Sequence, residues 1–199
     1  MDAAIEDVPT RTLLDRGDVA TTIPAMIREN DIDLVAVGTH GWCGVGKLIM
    51  GSAAEKMYRN ATFPVMTVGP HVHPATDWKL RCILCPVDLA EDSLPVLHYA
   101  LSLAEESHAE LIVLDAIQLV PWQYRASEDQ RSRRALESVI PEQTNDWCKP
   151  EMVVRWEHAA EAILCEAKSR EADLIVMNVH NRAWLHGWRI CRGRWRQKW

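Results

Sequence analysis

Short, continuous apolar runs alternate with helical stripes along this chain. Residues 34–37, 65–68, 82–85, 111–114 and 174–177 are such runs. Unbroken apolarity, rather than strict alternation, predicts strands at the centre of a parallel sheet that is covered on both faces. Between them, residues 93–108 place Val96, Leu97, Ala100, Leu101 and Ala104 on one helical stripe. Residues 159–172 do the same with Ile163, Leu164 and Ala167, and residues 21–30 with Ile23, Met26 and Ile27. Strands alternating with single helices predict an α/β fold, a doubly wound parallel sheet with helices on both faces.

The pattern repeats. Asp33-Leu34-Val35 matches Asp173-Leu174-Ile175, and Ile23 matches Ile163, all at a constant offset of 140 residues. Two related units are therefore expected within 199 residues. The first copy lacks its beginning and the second its end. Residues 69–80, rich in Pro and polar side chains, read as the linker. The expected division is 1–70, then 79–181, then an atypical tail at 182–199.

Composition narrows the function. The chain is 48% apolar and 25% charged, an ordinary globular balance, with a net charge of −6. An acidic protein of this kind is a poor general binder of nucleic acid or anionic membrane. No apolar run approaches the ~18 residues of a membrane-spanning helix. The acidic N-terminus lacks the basic and apolar regions of a signal peptide, and the cytoplasm is the expected location. Six scattered cysteines suit reduced thiols. Cys82 and Cys85 have C-x2-C spacing, but an odd separation on a strand points them to opposite faces. No second such pair completes a zinc set, so no metal site is expected, and His71 and His73 read as solvated linker residues. The tail carries Arg182, Arg189, Arg192, Arg194, Arg196 and Lys198 with no acidic residue. It mixes them with tryptophan at no helical or strand period, which fits an altered reading frame better than a nucleic-acid or membrane surface.

The segment with most chemical content runs from Gly38 to Asn60. Gly38 and Gly41 permit tight turns and close backbone approach. Gly51-Ser52 opens the helix expected over 51–60, where free amides and the helix dipole favour an anion. This reads as a phosphate loop at the carboxyl end of a parallel strand, or as a glycine turn that merely joins strand to helix. Gly41-x4-Gly46-Lys47 looks like a P-loop, but Leu48 stands where Ser or Thr would hold magnesium. No G-x-S-x-G nucleophile elbow supports hydrolase chemistry.

The spacing Gly38-x2-Gly41-x9-Gly51-Ser52 resembles the nucleotide motif of the universal stress protein family. Residues 17–23 are similar to the family's approach to its third helix, 33–41 to its fourth strand and 61–68 to its closing strand. Residues 83–88 resemble the first strand, and 93–117 the first helix and second strand. The resemblance implies a Rossmann-like sheet in strand order 3-2-1-4-5. It also implies a stress-response or signalling protein, usually a homodimer or a tandem pseudo-dimer, that binds ATP with magnesium in some members and no nucleotide in others. An efficient enzyme is not implied: weak ATP hydrolysis at most, with no catalytic residue. Carried over by position, Gly38, His40, Gly41, Gly51, Ser52 and Ala53 would contact phosphates and ribose. Pro86, Asp88 and Ala116 would contact the nucleoside. The alternative is a protein–protein module of the same fold without nucleotide.

Two departures follow. Asn178 and Asn181 replace the leading glycines in the second copy, and the first copy has no counterpart of Asp88. Each copy thus carries half of one site. The halves either stay apart, as in a tandem pair, or combine through a permuted sheet with residues 82–87 beside the run 34–37, within one chain or by exchange of halves between two. The tandem arrangement is the expectation.

Overall fold

A computed structural model describes residues 9–38, 63–69, 79–89, 94–117, 121–141, 144 and 148–178. The chain divides into two compact units, one within residues 1–77 and 195–199 and one spanning 78–194.

In the first unit, helix α1 is Val19–Glu29. Asp18 starts it, its carbonyl accepting the N–H groups of Thr21 and Thr22 at 3.1 and 2.9 Å. Strands β1, Val35–Gly38, and β2, Val65–Val68, pair in parallel with Val35 opposite Val65. Ile27 is the buried apolar side chain among the described residues of this unit.

The second unit contains β3 Cys82–Val87, α2 Leu94–Ser107, β4 Glu110–Ala116, α3 Arg125–Val139, β5 Glu151–Arg155, α4 Ala159–Ser169 and β6 Leu174–Ile175. Its four strands are all parallel in the order β5-β4-β3-β6. The sheet is covered on both faces, as a parallel sheet must be. Ile83, Cys85, Val87, Leu111 and Val113 face α2 and Leu136 of α3. Cys82, Leu84, Ile112 and Leu114 face Ala162, Ile163 and Ala167 of α4. Cys82 and Cys85 thus lie on opposite faces, both buried, as their odd spacing predicts.

Helix α3 and strand β5 are elements that apolar patterning does not announce. Helix α3 is strongly polar and buries only Ser132 and Leu136. β3 already has β4 on one side and β6 on the other, so it has no edge left for another strand.

The 140-residue offset extends to backbone geometry. Helices α1 and α4 begin and end at equivalent positions. Beyond each lies a left-handed residue, Asp31 at φ 50° and Glu171 at φ 51°. The N–H of Ile32 donates to the Ile27 carbonyl at 3.1 Å, and that of Ala172 to the Ala167 carbonyl at 2.9 Å, the same helix-ending turn twice. One equivalence fails. Glu151–Arg155 is strand β5, whereas its counterpart, residues 11–15, is an exposed irregular segment with Leu14 94% accessible. β5 is a strand because β4 pairs with it. Among the described residues the first unit has no equivalent of β4.

Candidate functional site

In an open parallel sheet, ligands collect at the carboxyl ends of the strands where connections leave in opposite directions. In the second unit that point lies between β3, whose chain continues to β4, and β6 on its other side. The two strands part early. Pairing covers Ile83 with Leu174 and Leu84 with Ile175, and the N–H of Val176 donates to the Leu84 carbonyl at 2.9 Å. Leu84 therefore turns its backbone groups toward β6, and Pro86, two residues on, turns the same way. Proline has no N–H to offer, so the strand pairing is not carried forward there. Pro86 tolerates its place in a central strand because the partner has already ended.

Asp88 follows β3 and is exposed. Val87 pairs with Asp115, so Asp88 stands level with Ala116. The fold thus brings Pro86, Asp88 and Ala116 to the same end of adjacent strands. Leu89 closes this turn at φ 56°, a left-handed conformation costly for a leucine and frequent where a site stores strain.

Gly38 lies at the carboxyl end of β1, in the other unit. A Cβ built on it meets no atom of the described residues within 4 Å, and its φ is not in the left-handed region, so neither its described surroundings nor its backbone conformation requires glycine here. His40, Gly41, Gly51, Ser52 and Ala53 lie outside the described residues, as do the P-loop-like segment, His71, His73 and the basic tail. Asn178, the positional counterpart of Gly38, is exposed at the end of the β6 segment.

Asp115 is a site-end residue that spacing did not single out. Its carboxyl is 8% exposed and accepts a hydrogen bond from Ser132 Oγ at 2.5 Å, tying β4 to α3. Burial pushes its pKa above the ordinary 3.8; the Ser132 hydrogen bond opposes this and the nearby charge of Asp88 adds to it. A raised carboxyl holds its proton longer in the folded than in the unfolded state. Its contribution to stability is therefore full below 3.8 and declines as pH rises through the higher native value. Asp115→Asn is expected to flatten that decline, read as the urea midpoint against pH. An unchanged slope would assign the decline to other groups. An acid inside the apolar run 111–116 was the available signal in the sequence.

Other chemistry is limited. The Cys85 thiol is pushed up to about 12 by burial and is no nucleophile at neutral pH. Among the described residues, no group of three or more His, Cys, Asp or Glu is placed to hold a metal. Nor is any described helix long and apolar enough to cross a membrane. At the carboxyl end of β5, the Arg125 guanidinium stands over the Trp156 ring, 5.6 Å from its centroid.

The sequence model of the universal stress protein family matches residues 1–69 and 79–190. A universal stress protein from Archaeoglobus fulgidus DSM 4304 is similar in structure, with a TM-score of 0.57 at 16% identity. That match covers 78% of this chain and 54% of the other, so this chain spans about half the length of that protein. A family member from Burkholderia pseudomallei is 22% identical with a TM-score of 0.41, over 56% of this chain and 89% of that one. A universal stress protein in complex with cAMP is 20% identical with a TM-score of 0.36, over 48% of this chain and 74% of that one. No curated protein matches significantly. The parallel sheet order, the helices on both of its faces and a family match across most of the chain lead to one assignment: the chain belongs to the universal stress protein family.

Proposed function

We propose that the chain is a nucleotide-binding stress-response or signalling protein of the cytoplasm, with ATP as ligand and magnesium as its counterion. The observation that carries this reading is the gathering of Pro86, Asp88 and Ala116 where β3 and β6 part. An aspartate there suits the hydroxyl or amino donors of a nucleoside, and the proline offers a flat apolar wall. The glycine motif of residues 38–53 in the other unit is read as separate phosphate-binding chemistry. The two units are read as incomplete copies of one domain, 1–70 and 79–181, arranged as a pseudo-dimer or within a homodimer. The role is binding, not efficient turnover.

Calorimetric titration of the full chain with Mg-ATP tests the reading. Binding that is lost in Asp88→Ala, with the folded spectrum kept, supports it. Gly38→Val tests the glycine loop separately: stability is expected to stay unchanged, because a Cβ at Gly38 meets no described atom within 4 Å, and a fall in ATP affinity would assign binding to the loop of the first unit. ATP affinity insensitive to both substitutions would sink the assignment of these residues. Asn178 at the position equivalent to Gly38 favours a second reading, a protein-interaction module without nucleotide, and no heat from ATP in the native chain would select it.

A further inference from the structure

Two carboxylates are buried among the described residues, and they are held in opposite ways. Glu166 lies between the guanidinium groups of Arg155 and Arg170. Asp115 receives a neutral hydroxyl, that of Ser132 at 2.5 Å, and no described cation pairs with it. It sits at the carboxyl end of β4, level with Val87, the residue before Asp88. Alternation along β4 puts it on the face of Leu111 and Val113, beneath Ser132 and Leu136 of α3. The other groups around it are neutral or already paired. Helix α2 turns Leu97, Ala100 and Leu101 to this face, and its His98 is exposed. Burial keeps the Cys85 thiol of β3 neutral. Val154 is the partner of Asp115 on β5, beyond which Arg155 is bound to Glu166 and Arg125 stands over Trp156. On α3, Glu128 pairs with Arg131 and Asp129 with Arg133, both partly exposed. The charge that reaches Asp115 is that of Asp88, and it has the same sign.

We propose that Asp115 is a positioning residue for the opening where β3 and β6 part: negative charge that enters the opening is accompanied by a proton on the Asp115 carboxyl, which goes on accepting the Ser132 hydroxyl and leaves Asp88 without a charged neighbour. The inference rests on the reading of Pro86, Asp88 and Ala116 as a nucleotide site, and it adds a proton to what that site binds. Two effects act in the same direction. The phosphates of a nucleotide bring net negative charge to a place where little water screens it. A filled opening also removes water from the end of β4, and desolvation disfavours the ionised acid. Burial and the charge of Asp88 already raise the pKa of Asp115 in the empty chain, against the Ser132 hydrogen bond. The proton comes from solvent, and no other bond is made or broken. Affinity is therefore highest below the value of Asp115 in the empty chain. It declines as pH rises from there through the higher value of the filled one.

Two measurements on the full chain test this. Without ligand, the Asp115 carboxyl carbon is followed by NMR against pH. Asp88→Asn is expected to lower its midpoint by removing a like charge, and Ser132→Ala to raise it by removing a hydrogen bond to the ionised form. A midpoint unmoved by Asp88→Asn overturns the inference. With ligand, Mg-ATP is titrated calorimetrically in buffers of different ionisation heat. The native chain is expected to take up as much as about one proton per nucleotide in the acid range. Asp115→Asn is expected to bind without that uptake, because the amide is neutral at every pH. Protons carried by the nucleotide itself cancel in the difference between the two chains. Equal uptake in both overturns the inference and leaves the nucleotide reading standing. Coupled midpoints in a chain that gives no heat with ATP would support the inference for charge in the opening and overturn the nucleotide reading. If Asp115→Asn loses its helical spectrum, Ser132→Ala decides: its proton uptake must move to higher pH, and an unmoved range overturns the inference.

Discussion

Leu84→Ala is expected to destabilise the second unit by about 3–4 kcal/mol, most of the margin of a typical domain. Leu84 is 0% exposed in the central strand, on the face covered by Ala162, Ile163 and Ala167 of α4. The strands on either side are held by regular pairing and α4 by its own packing, so little can collapse into the void. The loss is then the transfer energy of the removed carbons plus the cavity they leave. Urea unfolding followed by helical ellipticity checks it. Leu14→Ala is the contrast: at 94% exposure it should leave the midpoint where it was. A shift below about 1 kcal/mol for Leu84→Ala would mean that β3 is not the centre of the core.

Glu166→Ala is expected to cost about 2–4 kcal/mol. Its carboxylate is 1% exposed and binds two guanidinium groups. Arg155 reaches Oε2 through Nε at 3.0 Å and through Nη2 at 2.5 Å, and Arg170 reaches Oε1 through Nε at 3.0 Å. Arg170 also pairs with Glu151, so the cluster links β5, α4 and the turn after α4. Truncation opens a hole and strips two cations of their shared partner. Both arginines are partly exposed, so water recovers some of their solvation, which keeps the figure below that for a fully sealed pair. Arg155→Ala with Arg170→Ala tests the converse, since it leaves the carboxylate buried and unpaired. That double variant should be the more damaging of the two changes, by urea midpoint at neutral pH. A milder effect than that of Glu166→Ala would show that the carboxylate finds another partner.

Most strands were legible because central parallel strands are apolar on both faces, and residues 82–85 and 111–114 have no other use for such a run. The opposite placement of Cys82 and Cys85 followed from the period of a strand alone. Helix α3 was not legible. It docks through Leu136 and a serine, which leaves no stripe to detect. Strand β5 escaped for a related reason: an edge strand of five residues has only Val153 and Val154 buried. Residues 11–15 teach the opposite lesson. Their copy forms a strand, and they do not, because strand formation needs a neighbour as well as a sequence. Of the candidate site, Pro86, Asp88 and Ala116 were readable from the resemblance, and the fold placed them together. Asp115 was missed because an acid in an apolar run carries no period, and its Ser132 partner lies on the helix that was not foreseen.

The parting of β3 and β6 at Pro86 has a thermodynamic consequence. A slot held open by loops must be ordered each time it fills, and that ordering is subtracted from affinity. Here the opening rests on a covalent feature, a ring in place of a hydrogen-bond donor. The strands cannot zip closed across it when it is empty, so nothing has to be unzipped on filling. The affinity of any group bound there would come mostly from contacts, and a donor restored by Pro86→Ala would let strand pairing compete with that group.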